Sequence, residues 1–266
     1  GYGVYEGEES RQALPVIHKI LYVAVTAQTP QEVRDEIIDK VEQQFGVEVK
    51  LLNDLYVFPA DMLVRSQNRY LDLIIGRAFA TLAFEQLNSI LKKTQIEGRP
   101  QTLDQKKEFY KAYIAKIEGE GSLKYRMNTL DHQLDADLIL DAASAGYQPV
   151  LSDPNTFGVL IVTVHDLRAD DLSFLFGTAD IPQRIGVMSV ARFALDQPSM
   201  DKLKTRAVKQ AFSTVGFIAG IGRCTMPDCA RAYPHSLAEH DKKPAKICSM
   251  CFQHLIEAYQ TMGPRE

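Results

Sequence analysis

The chain has 266 residues, 45% of them hydrophobic and 24% charged, and its net charge is −4. This composition is typical of folded globular proteins, and the length suits one large domain or two small ones. Lysine and arginine form no dense run, so the chain lacks the basic patch typical of nucleic-acid-binding proteins.

The sequence also argues against secretion and membrane association. No segment approaches the roughly 20 consecutive apolar residues that a membrane-spanning helix needs. Residues 1–10 lack the basic and apolar regions of a secretory signal. We therefore expect a cytoplasmic protein without membrane contact, in which clustered cysteines bind a metal ion rather than form disulfides.

The N-terminal part predicts a βαβ unit. Residues 19–28 (KILYVAVTAQ) are β-branched and apolar, as in a buried strand. Residues 31–45 place apolar side chains four residues apart, and Gly46 follows at the position of a helix C-cap. Residues 47–56 return to a strand pattern. This succession indicates a mainly parallel sheet and an α/β fold.

The rest of the chain mixes helical and strand patterns. Residues 118–122 (EGEGS) have the composition of a flexible turn. Periodicity predicts helices over 65–94, 103–117, 135–145, 200–221 and 248–259, and strands over 157–164, 174–177 and 186–193.

All four cysteines lie in two pairs near the C-terminus, Cys224-x4-Cys229 and Cys248-x2-Cys251. Structural zinc sites are tetrahedral, and four thiolates complete one without an open position. The segment between the pairs holds prolines and charges but little apolar material, so it cannot form its own core. The spacing therefore predicts one structural zinc ion that orders this segment. Buried free thiols or a redox site are the alternative.

Several motifs, in order along the chain, resemble the archaemetzincins, a family of metzincin-like zinc peptidases. That family carries HExxHxxGxxHC, then four residues and a cysteine, and later C-x-x-C. Residues 213–224 occupy the long motif and end in Cys224. Upstream, residues 165–177 (HDLRADDLSFLFG) are similar to the family's DL…FvFG stretch, residues 186–193 (GVMSVARF) to its SlaRL segment, and residues 133–140 to its QYdAxxiL segment.

The resemblance implies a metzincin-like (zincin) fold, which is an α/β domain with a mixed sheet, a long motif-bearing helix and a C-terminal zinc segment with four cysteine ligands. We expect residues 1–18 to form an N-terminal extension and residues 19–266 a single domain. Residues 65–130 match nothing in the family pattern and are expected to be a helical insertion. Residues 222–262 are expected to form the zinc-binding subdomain.

The sequence departs from the family at the catalytic residues. There, three histidines hold a catalytic zinc ion and a glutamate is the general base; the matching positions here are Ser213, Thr214, Phe217 and Arg223. Phenylalanine has no lone pair to donate, and arginine stays protonated. Threonine cannot take a proton from metal-bound water near neutral pH. Only the motif's Gly220 is retained, so we expect no catalytic residue and no catalytic zinc.

Two features are candidates for the cleft of this fold. Arg223 occupies the third ligand position, where its guanidinium is expected to fill part of the vacated space and attract a carboxylate; a solvent-directed side chain is the alternative. Residues 174–179 (FLFGTA) are expected at the edge strand, to which a peptide can add by main-chain hydrogen bonds, and Phe174, Leu175, Phe176 and Gly177 are its candidate cleft residues.

Arg231 and three histidines are considered individually as further candidates. Arg231 stands where the family has a methionine, two residues after the second cysteine. His235 and His240 are interpreted as solvated loop residues. His165 follows a buried strand, and a hydrogen-bonded histidine at a strand end is the simplest interpretation.

We therefore predict a catalytically degenerate archaemetzincin-like protein, a pseudopeptidase that keeps one structural zinc and binds a peptide or protein partner. The alternative is a zinc-dependent or metal-independent hydrolase with a non-standard active site in the same cleft. Ser213 would be its nucleophile, although no base is adjacent in sequence. Nucleic-acid binding by the zinc segment is disfavoured, because Asp228, Glu239 and Asp241 lie among its basic residues.

Overall fold

The computed structural model describes residues 13–53, 56–170 and 172–262. They form two compact units. One is built from the described residues of Gly1–Val57, Ile139–Asp166 and Phe176–Glu266, and the other from those of Phe58–Leu138 and Leu167–Leu175. Most of the expected N-terminal extension, residues 1–12, lies outside the described residues. In the part that is described, no helix is both long and apolar enough to span a bilayer.

The elements are numbered along the chain. The strands of the described residues are β1 (Ile20–Val25), β2 (Glu48–Leu51), β3 (Leu134–Asp135), β4 (Thr156–Thr163), β5 (Leu167–Arg168), β6 (Gly177–Asp180) and β7 (Ile185–Ser189). The helices are α1 (Gln31–Phe45), α2 (Met62–Thr81), α3 (Phe84–Thr94), α4 (Leu103–Ile117), α5 (Glu120–His132), α6 (Ala136–Gly146), α7 (Gln148–Leu151), α8 (Met200–Ile218), α9 (Leu237–Lys242) and α10 (Ser249–Met262), with a 3-10 turn at Arg192–Ala194.

The first unit is organised around a five-stranded sheet of order β2-β1-β4-β7-β6. The pairs β1–β2, β1–β4 and β4–β7 are parallel, and β6 runs antiparallel to β7 at the edge. Every residue of β4 is buried, as expected for a central strand covered on both faces. The mixed sheet predicted for this fold class is therefore present.

Helix α1 forms where the sequence predicts it. Val33, Ile37, Val41 and Phe45 recur every four residues and are fully buried, so they form the inner face of the helix. Gly46 ends the helix with φ of +60°, and its N–H donates to Glu42 O. Glycine adopts this left-handed conformation without the strain that a Cβ atom causes.

Helix α8 lies unusually close to the sheet because three strands carry glycine beneath it. A Cβ atom added at Gly158 of β4 would be 2.3 Å from the Ile218 side chain. Added Cβ atoms at Gly186 of β7 and Gly177 of β6 would be 2.6 Å from the side chains of Thr214 and Gln210, respectively. These three helix residues are four apart, so one face of α8 crosses the three strands.

The second unit is helical and has its own core. Buried side chains of α2, α3, α4 and α5 form this cluster, among them Leu71, Ile90, Phe109 and Leu130. The residues expected to form a helical insertion, 65–130, lie within this unit. A short parallel pair of β3 and β5 completes it.

Two local predictions in this region are wrong. The turn expected at residues 118–122 is confined to Glu118 and Gly119, of which Gly119 has φ of +89°, and α5 begins at Glu120. The helix persists because Leu123, Met127 and Leu130 pack against the helical core, which outweighs the local glycine and serine content. The single helix expected over 65–94 is interrupted at Leu82, whose backbone is extended.

Candidate metal centre

The four cysteines converge beyond the C-terminal end of α8. Gly220, with φ of +85°, turns the chain after the helix, and Cys224 follows. Cys248 precedes the first residue of α10, and Cys251 lies in its first turn. All four Sγ atoms, including that of Cys229, lie within 4.8 Å of one another. Two sequence-local pairs are thus brought into one cluster.

The spacing of these sulfur atoms fits a tetrahedral metal centre. Thiolates at about 2.3 Å from a zinc ion are separated by about 3.8 Å when the geometry is tetrahedral. The Sγ atoms of Cys224 and Cys248 are 3.7 Å apart, and those of Cys229 and Cys251 are 3.8 Å apart. None of the four forms a disulfide. Among the described residues no other group of three or more metal-binding side chains converges, so this set fits the one structural zinc ion that the spacing predicts.

Backbone donors prepare the cluster for the thiolate form that zinc requires. The N–H groups of Arg231 and Cys248 point at Cys229 Sγ, with distances of 3.4 and 3.3 Å. The hydrogen bond with the Cys251 thiol, helped by these two N–H groups, lowers the pKa of Cys229 to about 5. Burial has the opposite effect on Cys224, whose pKa is raised. Zinc binding must therefore displace protons, and Cys229 loses its proton more readily than Cys224.

The segment between the cysteine pairs is held by buried polar contacts rather than by an apolar core. Lys243, 6% exposed, donates from Nζ to the carbonyl oxygens of Ala230 and Ala232 at 2.8 and 3.0 Å. Arg206 of α8, 1% exposed, donates to both carboxylate oxygens of Asp241 at 2.7 Å. The Lys243 contacts close the segment on itself, and the Arg206 contact fixes it to α8.

A buried arginine lies between the cysteine cluster and α8. Arg231 donates from Nη1 to Cys251 Sγ at 3.5 Å and from Nη2 to Ile221 O at 3.0 Å. Its guanidinium carbon is also 5.0 Å from the centre of the Phe217 ring, within the range of a cation–π interaction. A Cβ atom at Gly216 would be only 2.1 Å from Arg231 Nε. Gly216 and Phe217 therefore form the surface against which the guanidinium packs.

The sequence did not predict that Arg231 packs against α8, although Gly216 was a signal of close packing there. A glycine inside a helix costs about 1 kcal/mol relative to alanine, so Gly216 called for a packing reason. The sequence does not say which long side chain fills the space that a missing Cβ leaves. The structure identifies it as Arg231, which is only 3% exposed.

The side chains at the positions that match the family's catalytic residues lie in different environments. Thr214 is fully buried; its hydroxyl accepts a hydrogen bond from Gln210 Nε2 at 3.0 Å and donates to Gln210 O at 3.1 Å. Ser213 is half-buried, and no titratable side chain in the described part of the chain hydrogen-bonds to it. Arg223 is exposed, which agrees with the solvent-directed alternative rather than with a guanidinium that fills the vacated space. The guanidinium beside the Phe217 ring is that of Arg231.

The candidate cleft residues 174–177 lead into the edge strand β6, but the side chains just before the strand are mostly buried. Leu175 and Phe176 are each 6% exposed, and the Phe176 ring centre is 5.0 Å from that of Phe193. Phe174 is half-buried. The edge strand β6 begins at Gly177, later than the predicted strand over 174–177. The strand starts late because the aromatic residues before it pack inward.

His240 corrects the expectation of a solvated loop histidine, because its side chain is completely buried. Its ring stacks on Phe193 with centres 4.7 Å apart, and its Nε2 lies 2.9 Å from Arg206 O. The Arg206–Asp241 contact draws the neighbouring histidine inward. His235, by contrast, is exposed as expected. His165 is also exposed, and partial desolvation of its ring lowers its pKa.

We expect the free energy of unfolding to fall as the pH drops below about 6.5, the pKa of a histidine in an unfolded chain. Burial lowers the pKa of His240 to about 3; the positive charges of Lys243 and Lys209 act in the same direction, and Asp241 opposes them. Between these two pH values the unfolded chain binds one proton more than the folded protein. The contribution of His240 to the slope therefore approaches about 1.4 kcal/mol per pH unit.

Urea unfolding at pH 7.5 and pH 5.0 measures this slope, in a range above the titration of carboxylates. Thiolates of the cysteine cluster also take up protons on unfolding in this range, so the variant His240→Gln should lower the slope by up to about 1.4 kcal/mol per pH unit rather than abolish it. The exposed-site control His235→Gln should keep the wild-type slope. An equal slope in wild type and His240→Gln would assign the pH dependence to another group.

Comparison with known proteins gives the family. The model of peptidase family M54 matches residues 103–257, more than half of the chain. The archaemetzincin of Methanocaldococcus jannaschii is 33% identical over 101 residues, which cover 36% of this chain and 56% of that protein. The archaemetzincin of Methanopyrus kandleri is 37% identical over 97 residues, which cover 36% of this chain and 54% of that protein. The chain thus spans about half the length of these relatives.

Solved structures agree in fold. The archaemetzincin of Methanopyrus kandleri superposes with a TM-score of 0.55 and 20% identity, covering 91% of this chain and 95% of that chain. A zinc-dependent peptidase from Methanocorpusculum labreanum gives a TM-score of 0.51 and 16% identity, covering 88% of this chain and 99% of that chain. This likeness confirms the metzincin-like α/β fold. From the family match, this fold and the four-cysteine cluster together, we conclude that the chain belongs to peptidase family M54, the archaemetzincins.

Proposed function

We propose that this protein is a catalytically degenerate archaemetzincin, a cytoplasmic pseudopeptidase that keeps its structural zinc and acts by binding a peptide or protein partner. The observation that carries the proposal is the identity of Ser213, Thr214, Phe217 and Arg223. These positions supply neither an imidazole nor a carboxylate. Hydrolysis by a zinc peptidase needs a metal ion with an open coordination position and a general base, and these four residues provide neither.

The packing around α8 supports this proposal. Arg231 places a permanent positive charge beside Phe217, and positive charges at short range in a poorly solvated site repel one another. Thr214 has its hydroxyl committed to Gln210 of the same helix. A second cation would have to displace Arg231 and find ligands that this helix does not offer.

The free edge of the sheet supports a binding role. Ser189 donates its N–H to Phe176 O at 2.8 Å, which marks these residues as a hydrogen-bonded antiparallel pair. Because such pairs alternate, the N–H and C=O groups of Gly177 and Ala179 are directed away from β7. In the described part of the chain no strand covers β6 on that side. Such an edge can accept an extended peptide as an additional strand.

Panning a combinatorial peptide library tests this role, with the peptides analysed by mass spectrometry before and after incubation. We expect peptides to bind and to remain uncleaved. The variant Ala179→Pro removes the outward N–H and should weaken binding about fivefold, since one lost hydrogen bond is worth about 1 kcal/mol. Ala179→Ser keeps the N–H and should bind like wild type.

Peptide cleavage would overturn the proposal in favour of a hydrolase with a non-standard active site. Cleavage abolished by a chelator would indicate a rebuilt metal site. Cleavage that survives the chelator but is lost in Ser213→Ala would indicate a serine nucleophile. Binding that Ala179→Pro leaves unchanged would place the peptide site elsewhere than the β6 edge.

A further inference from the structure

A buried lysine lies beside the cysteine cluster without a carboxylate partner. Lys243 is 6% exposed, and no carboxylate in the described part of the chain forms an ion pair with it. Burial, helped by the positive charge of Lys209, lowers the pKa of Lys243 to about 8, so its amine is still mostly protonated at neutral pH. A buried cation is costly unless a neighbouring group compensates its charge. The surroundings of Lys243 must therefore supply negative charge of another kind.

Lys243 reaches the cluster through a single peptide group. Its Nζ donates to Ala230 O at 2.8 Å and to Ala232 O at 3.0 Å. Ala230 O belongs to the same peptide group as the N–H of Arg231, and that N–H donates to Cys229 Sγ at 3.4 Å. The contacts form a continuous chain from the ammonium group through the peptide group to the sulfur atom. A cation at the carbonyl oxygen polarises the peptide group and makes its N–H a stronger donor.

The zinc-loaded cluster is an anion that suits this lysine. Four thiolates outweigh the two positive charges of a zinc ion, so the loaded centre is negative overall. Cys229, at the end of the chain of contacts, is fully buried, so water screens its charge poorly. Negative charge at Cys229 favours the protonated form of Lys243 and acts to raise its pKa. The lysine and the loaded cluster therefore stabilise each other.

We propose that Lys243 sets the zinc affinity of the cluster without touching the metal: its ammonium group strengthens the Arg231 N–H···S bond to Cys229 and offsets the negative charge of the loaded centre. Lys243 is thus a positioning residue of the metal site. This role explains why the segment buries a lysine whose hydrogen bonds go only to main-chain carbonyl oxygens. Groups that bond to metal ligands from outside commonly tune metal affinity in this way.

Zinc affinity of the full chain tests the proposal. In competition with a chelator near neutral pH, Lys243→Met should bind zinc about 10- to 100-fold more weakly than wild type, which is the usual effect of losing a group that supports a metal ligand. Lys242→Met removes the adjacent, exposed lysine and should bind zinc like wild type. Unchanged affinity in Lys243→Met would overturn the proposal.

Iron loading separates this electrostatic role from a purely structural one. In the iron-loaded full chain the four thiolates hold Fe³⁺ or Fe²⁺, and a nearby cation favours the reduced, more negative centre. Lys243→Met should shift the equilibrium toward Fe³⁺ at least tenfold, which lowers the reduction potential by at least about 59 mV. Looser packing would instead admit water and raise the potential. An unchanged or raised potential would mean that Lys243 only holds the chain in place, and would overturn the proposal.

A measurement on the wild type keeps the proposal testable if Lys243→Met does not fold. Cys248 N–H donates to the same Cys229 Sγ at 3.3 Å, and no cation among the described residues bonds to Ile247 O of its peptide group. In protein loaded with ¹¹³Cd, the NMR coupling from the metal across the hydrogen bond should be larger for Arg231 N–H than for Cys248 N–H, although the Arg231 bond is longer. An equal or larger coupling for Cys248 N–H would overturn the proposal.

Discussion

Replacing Cys251 with serine should abolish zinc binding and unfold the segment from residue 222 to residue 262. Cys251 is 3% exposed and belongs to the sulfur cluster. A serine hydroxyl does not ionise near neutral pH and is a poor zinc ligand. Structural zinc contributes on the order of 10 kcal/mol in small metal-dependent domains, which is comparable with the whole stability of a globular protein. The remaining polar contacts of the segment cannot offset that loss.

Elemental analysis after removal of loosely bound metal measures the first part of this prediction, and hydrogen exchange of the amides of α9 and α10 the second. Wild type should hold one zinc ion per chain, and Cys251→Ser none. Met250→Ser changes an exposed side chain in the same turn, 49% exposed, and should keep both zinc and protection. Full protection in Cys251→Ser would refute a zinc-dependent fold. Two zinc ions per wild-type chain would instead support the alternative function, a zinc-dependent hydrolase with a non-standard active site.

Gly216→Ala should destabilise the protein by about 1–3 kcal/mol, although the same substitution in an ordinary helix is stabilising. The new Cβ atom would lie 2.1 Å from Arg231 Nε and 2.6 Å from its guanidinium carbon. The arginine would have to leave its contacts with Phe217 and Cys251, and a buried guanidinium has few alternative positions. Overpacking therefore outweighs the gain in helix propensity.

Urea unfolding of matched variants isolates this effect. Gly121→Ala in α5 places its Cβ where no atom lies within 4 Å, so it should be neutral or stabilising by up to about 1 kcal/mol. In the double variant Gly216→Ala, Arg231→Met, the flexible methionine can yield to the new methyl group, and most of the loss should be recovered. A Gly216→Ala protein as stable as wild type would mean that Arg231 moves aside at little cost.

These two variants separate the structural zinc from the altered catalytic region. Loss of Cys251 removes the metal that orders the C-terminal segment. The methyl group of Gly216→Ala displaces the Arg231 guanidinium from α8, the helix that carries Ser213, Thr214 and Phe217. If peptide binding survives Gly216→Ala, the β6 edge acts independently of this packing.

Local sequence patterns determined the elements whose residues are neighbours along the chain. Helix α1 is specified by a four-residue repeat and a C-capping glycine, because side chains four apart share a helix face. The cysteine pairs are likewise local, since each needs only a tight turn to present two sulfur atoms to one ion. The family motifs fixed the fold class for the same reason, because each motif lies within one element or one turn.

Tertiary structure decided the features that depend on distant segments. Whether Arg223 or Arg231 reaches the Phe217 ring depends on how the chain turns after α8, and spacing does not encode that turn. His240 is buried because its neighbour Asp241 binds Arg206, thirty-five residues earlier. Arg168 is buried in the helical unit, where β5 pairs with β3 more than thirty residues earlier in the chain. Burial of a charged group depends on which distant surfaces close over it, and a short sequence pattern carries no record of that packing.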